Sequence, residues 1–118
     1  MKTDTSITAE RKETLEKELE RIVGILVREY EPEKIILFGS LATGEIYEWS
    51  DIDLLIVKKT RQKPLDRTAR VMKILNYPRI AMDIFVYTSS EIEYLLKEGS
   101  PFMKEIFEEG KVLHEKDN

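Results

Sequence analysis

Two short apolar runs, each marked by polar residues at fixed places, constrain this chain more than any other feature. Ile35-Ile36-Leu37-Phe38 stops abruptly at Gly39-Ser40. Ile52-Asp53-Leu54-Leu55-Ile56-Val57 is apolar apart from one carboxylate, and a second, Asp51, stands immediately before it. Runs of this length between turn-forming residues read as buried strands. A small-residue turn leaving a strand presents backbone N–H groups to an anion, while Asp51 and Asp53, two positions apart, point to the same side of a sheet. The stretch therefore reads as a site for phosphate and metal, and the remaining sequence must supply what it lacks.

The 118 residues fit one domain, 1–118, with room for a single core and none for a separate substrate-binding domain. There is no cysteine, which excludes a disulfide framework and a thiolate zinc site and leaves oxygen ligands for any metal. The first residues lack the apolar core of a signal peptide, and no apolar run approaches the roughly 20 residues that span a bilayer, so a cytoplasmic protein with no membrane partner is expected. The formal net charge of −4 argues against stable binding to DNA through phosphate neutralisation. The charge is uneven, however. Lys58, Lys59, Arg61, Lys63, Arg67, Arg70 and Lys73 crowd the segment after the second run, where they read either as an anion-attracting region or as solvated helix faces.

Over residues 8–30, Leu15, Leu19, Ile22, Val23, Leu26 and Val27 recur at helical spacing, with Thr8 as the expected N-cap and Pro32 just past the end. Residues 41–44 suit one helical turn after Ser40, whose free N–H groups favour an anion. Ser50 is read as bracing the connection into the second strand. Residues 64–76 suit a helix with Pro64 near its start and Leu65, Ala69, Met72 and Leu75 inward. Residues 80–87 read as a third strand with Asp83 in its middle. Thr88 with Glu91 forms a capping box for a helix that turns Ile92, Leu95 and Leu96 inward. Ser100-Pro101 opens another helix, ending at Gly110, with Phe102, Met103, Ile106 and Phe107 read as core. Residues 112–114 suit a short edge strand, which places His114 at the surface and away from chemistry. Tyr47 and Trp49 read as packing or interface residues, base stacking being their alternative role.

Asp51, Asp53 and Asp83 need a common explanation. Carboxylates gathered in a sheet are costly unless a cation compensates them, and Mg²⁺ takes oxygen ligands and shares them with substrate phosphates. An in-line displacement at phosphorus builds charge on the attacking and leaving oxygens, which a pair of such ions stabilises.

Phe38-Gly39-Ser40 followed by Asp51-Ile52-Asp53-Leu54 resembles the signature of the DNA polymerase beta-like nucleotidyltransferase superfamily, and the short chain resembles its minimal nucleotidyltransferases. The resemblance implies an α/β (α+β) fold, a small mixed sheet flanked by helices. It implies that Gly39 and Ser40 hold the triphosphate of ATP, that Asp51 and Asp53 bind two Mg²⁺ ions, and that Asp83 completes the metal site and helps activate the attacking hydroxyl. It further implies AMP transfer to a hydroxyl, with a tyrosine of a HEPN-domain toxin as acceptor and this chain as the antitoxin. One departure stands out. Leu41 and Thr43 occupy the turn where many minimal members carry Arg, leaving neutralisation to backbone N–H groups, the metals and Lys58 or Lys59. Two rival functions remain: a contact-only antitoxin with a vestigial metal site, and a homodimer modifying a small molecule such as an aminoglycoside.

Overall fold

The computed structural model describes residues 5–117. The first four residues, part of the stretch lacking a signal peptide's apolar core, lie outside them. In chain order the elements are α1 (Thr5–Glu29), β1 (Lys34–Phe38), α2 (Ser40–Thr43), β2 (Ile52–Val57), α3 (Pro64–Ile74), β3 (Met82–Tyr87), α4 (Ser89–Lys97), α5 (Pro101–Glu109) and β4 (Lys111–Glu115). The described strands form one mixed sheet in the order β3-β2-β1-β4. β1 pairs antiparallel with β2 and with β4, whereas β2 and β3 run parallel.

Alternation along the strands sends successive side chains to opposite faces. Ile35, Leu37, Ile52, Leu54, Ile56, Ile84 and Val86 meet Leu15, Ile22 and Leu26 of α1 and Val71 and Leu75 of α3. On the other face Ile36, Leu55 and Val57 pack on Ile92, Met103 and Ile106 of α4 and α5. By the same alternation Asp51 and Asp53 lie on this second face, at the start of β2. The fold thus buries β2 on both sides along most of its length and leaves the two carboxylates half-buried.

Several sequence expectations change in the structure. α1 begins at Thr5, so Thr8 lies inside the helix and not at its cap. β3 begins at Met82, so Asp83 stands at the strand's entrance instead of its middle. In α3 the inward residues are Arg67 and Val71, followed by Leu75, while Leu65 is 85% exposed. Leu96, Phe102 and Phe107 are also largely outside the core. The reason is common to these cases: apolar spacing gives a helix's stripe, but tertiary packing selects which edge of the stripe faces inward. The Thr88–Glu91 capping box is present as expected.

Arg67 reaches inward because it has a full set of partners. Its Nη1 donates to Glu91 Oε1 at 2.7 Å and to the Val86 carbonyl at 3.2 Å, and its Nε donates to the Gln62 carbonyl at 2.8 Å. The Arg67 guanidinium, chiefly through its hydrogen bond, holds the Glu91 carboxyl below its usual value. A depressed carboxylate contributes stability above its unfolded pKa and loses it as pH falls. Glu91→Gln keeps a capping group but leaves Arg67 buried without its countercharge. It should cost about 2 kcal/mol at pH 7, below the range for fully buried pairs because Glu91 is 38% exposed. Urea unfolding at neutral pH and below pH 4 measures this, and the difference between the proteins should shrink at the acid end.

Candidate active site

The Gly39-Ser40 turn is built from β1's exit. Gly39 has φ 75°, in the left-handed region that glycine enters without strain. It also caps α2, with the N–H groups of Ala42 and Thr43 donating to its carbonyl at 3.1 and 3.2 Å. These bonds and that from Gly44 N–H to the Ser40 carbonyl close the turn. The N–H groups of Ser40 and Leu41 come before them, at the open start of the helical turn. A side chain on residue 39 would overlap the Asp53 carboxylate, its nearest neighbour. Glycine here therefore lets a carboxylate lie directly against the turn.

Three interactions hold the turn to the strand that carries the carboxylates. Ser40 Oγ donates to Ser50 Oγ at 3.0 Å, and the same Ser50 oxygen accepts from Tyr47 N–H at 2.8 Å. Arg11 of α1 reaches the Ser50 carbonyl with Nη2 at 2.9 Å. Ser50 is buried, and its role is to brace, as its sequence position implied. Arg11 is the residue that sequence reasoning missed. It lies 39 positions away on a helix face with no local motif, so only the tertiary fold reveals the contact.

Asp53 pairs in register with Asp83 across the parallel β2–β3 ladder and with Phe38 across the antiparallel β1–β2 ladder. Its pKa is raised to about 6, first by burial, then by the charge and hydrogen bonding of Asp83, and further by the charge of Asp51. The three predicted aspartates thus act on one another. Asp53 and Asp83 form the close pair, and Asp51, half-buried just before β2, adds its charge. Among the described residues no three His, Cys, Asp or Glu side chains already form a cation-holding group. The donor chemistry nevertheless fits a hard divalent cation, because the facing atoms are carboxylate oxygens and Asp53 carries an electrostatic penalty that a cation would remove.

Phe38 and Phe85, the strand neighbours of Asp53 and Asp83, meet Phe102 of α5 edge to face or tilted, with centroids 5.2 to 6.0 Å apart. Lys58 and Lys59 are not part of this site. They leave the far end of β2, about 17 Å along the strand from Asp53 at ~3.3 Å per residue. Lys58 donates instead to the Tyr30 carbonyl and lies 4.7 Å from that ring's centre. The expectation that they neutralise phosphate fails because the run of sequence continues away from the turn, whereas an antiparallel neighbour brings β1's exit to β2's start.

Known proteins resemble this chain in sequence family and in fold. The model of a family described as Polymerase beta, Nucleotidyltransferase matches residues 20–118. A crystal structure from Sulfolobus solfataricus, of a protein provisionally assigned as a nucleotidyltransferase, superposes with a TM-score of 0.64. It is 21% identical, and the likeness covers 93% of this chain and 88% of that one, which shows a shared fold. No curated protein matches the chain. No described helix is long and apolar enough to cross a membrane.

Two outcomes follow from the crowding around Asp53. Its raised pKa means that the folded chain holds a proton between about pH 4 and pH 6 that the unfolded chain has released. Stability from this group is full below the unfolded value and is lost as pH rises through the folded one. Asp53→Asn should therefore raise the Tm by a few degrees at pH 7.5 and have little effect near pH 4, and excess MgCl₂ should stabilise the parent but not the variant. The second outcome concerns Gly39→Ala, which should destabilise by about 1–3 kcal/mol through positive φ and overlap with Asp53. In an Asp53→Ala background part of that cost should disappear, a coupling that a double-mutant cycle of denaturation midpoints would measure.

Proposed function

The chain belongs to the polymerase beta-type nucleotidyltransferase family, and on that premise we propose that it is a Mg²⁺-dependent enzyme moving AMP from ATP to a hydroxyl. The observation carrying this reading is the placement of Asp53 against Gly39 on one side and level with Asp83 on the other. That placement sets the phosphate turn and the carboxylates within one short patch of the sheet.

In this reading the Ser40 turn receives the triphosphate through its open N–H groups, and the Ser40–Ser50 link keeps it aligned with Asp51. Asp51, Asp53 and Asp83 would hold two Mg²⁺ ions. When bound, these ions supply charge stabilisation for the attacking and leaving oxygens. Asp83, exposed at the entrance of an edge strand, faces the acceptor and takes the proton of its hydroxyl. The hydroxyl oxygen forms a bond to the α-phosphorus, the bond from that phosphorus to the β-phosphate bridge breaks, and pyrophosphate leaves with the electron pair. Most of the rate then comes from positioning and electrostatics.

The acceptor side is open, since Asp83 is exposed at the entrance of the edge strand β3. This openness supports a macromolecular acceptor, and we assign it to a tyrosine of a HEPN-domain toxin that the chain silences as its antitoxin. Incubation of the chain with ATP, MgCl₂ and a purified HEPN-domain toxin should add one AMP to that protein by mass spectrometry. Asp53→Asn and Asp83→Asn should each lower the rate by at least 100-fold, on the order expected when transition-state charge is left unsupported. An unmodified partner that is still neutralised by the Asp51→Asn, Asp53→Asn double variant would replace this reading with inhibition by contact.

A further inference from the structure

The connection between the phosphate turn and Asp51 carries two aromatic side chains that the core does not use. Trp49 is 73% exposed and Tyr47 is 45% exposed. Outside the core they pack on each other: the rings are stacked, parallel within 4° with centroids 5.0 Å apart, so Tyr47 backs the Trp49 ring and the pair stands in the open as one aromatic ledge. The backbone beneath is held by Ser50 N–H donating to the Tyr47 carbonyl at 3.1 Å and by Tyr47 N–H donating to Ser50 Oγ. That same oxygen accepts from Ser40. The ledge is thus fixed relative to the phosphate turn on one side and, through Ser50, to Asp51 on the other.

The surroundings indicate what the ledge takes. Glu45 and Glu48 stand exposed in the same connection, so the ledge itself is a poor seat for phosphate groups. Charged residues are also depleted at the centres of protein–protein contacts, where they would lose their hydration. A neutral, planar heterocycle meets neither obstacle, and a flat aromatic surface matches it.

We propose that the Tyr47–Trp49 ledge is the stacking platform for the base of the bound nucleotide, whose triphosphate lies on the Ser40 turn. The proposal rests on the nucleotidyltransferase reading above. Every base has a π face, so the platform ranks purines above pyrimidines by overlap and separates adenine from guanine only weakly.

Trp49 is the chain's sole tryptophan, so its emission reports directly on the ledge. The full chain in MgCl₂ is titrated with ATP, GTP, CTP and inorganic tripolyphosphate, following both fluorescence and heat of binding. ATP and GTP should quench the emission, CTP should do so less, and tripolyphosphate should bind without quenching. Trp49→Ala should weaken ATP on the order of 10-fold and leave tripolyphosphate affinity unchanged, while Trp49→Phe should recover most of the loss. Normal ATP affinity in Trp49→Ala, or ATP binding with unaltered emission, overturns the platform and leaves the nucleotide site standing. Failure of the parent chain to bind ATP or tripolyphosphate overturns the nucleotide site and the platform together.

Discussion

The carboxylate of Asp53 occupies the space that any side chain on residue 39 would need, and the architecture of the site follows from that crowding. The contact requires a glycine, a left-handed turn at the end of β1 and antiparallel pairing that sets Phe38 opposite Asp53. It also brings a negative group beside N–H groups that themselves attract anions. Such an arrangement leaves Asp53 half-buried among like charges, with a pKa near 6, and a bound cation is the natural counterweight. Charge repulsion is concentrated at this end of the sheet, while the interior strands carry the stability.

The sheet's connectivity makes the crowding possible. β1 and β2 are antiparallel neighbours, so the exit of one lies beside the entrance of the other. β3 is parallel to β2, so its entrance arrives at the same end. Three chain segments thereby deliver the Gly39-Ser40 turn, a pair of carboxylates and a third carboxylate to one end of the sheet. On the second face Phe102 of α5 packs on Phe38 and Phe85 beside that end. A different strand order would retain every residue of the motif and scatter the site.

Bracing comes from the opposite face. α1 sends Arg11 to the Ser50 carbonyl, and Ser50 in turn holds Ser40 and Tyr47. One buried serine thus links the Ser40 turn, the aromatic ledge and the segment entering Asp51. Arg67 plays a comparable part at the far end, tying α3 to the start of α4 through Glu91 and to β3 through the Val86 carbonyl. In both cases a long cationic side chain spans elements that are distant in sequence, and its hydrogen bonds offset the desolvation of burying it.

Local rules written in the amino-acid order specify the strands around Gly39-Ser40 and Asp51-x-Asp53, the capping box at Thr88, the Pro101 helix start and the edge strand near the end. Those rules are side-chain alternation, capping groups and the conformational limits of glycine and proline. The order of residues also singles out the three aspartates, because a carboxylate within an apolar run is conspicuous by its chemistry alone. Long-range packing settles the rest: Asp83 stands at a strand entrance level with Asp53, Arg67 faces inward while Leu65 faces water, and Lys58 lies at the wrong end of β2 to meet a phosphate. It likewise sets Arg11 under Ser50 and leaves Tyr47 and Trp49 stacked in the open. Each of these depends on which segments become neighbours, and strand pairing and helix docking are fixed by the burial of the whole core. A local pattern gives the stripe or the alternation; the contacts that choose among its faces come from residues tens of positions away.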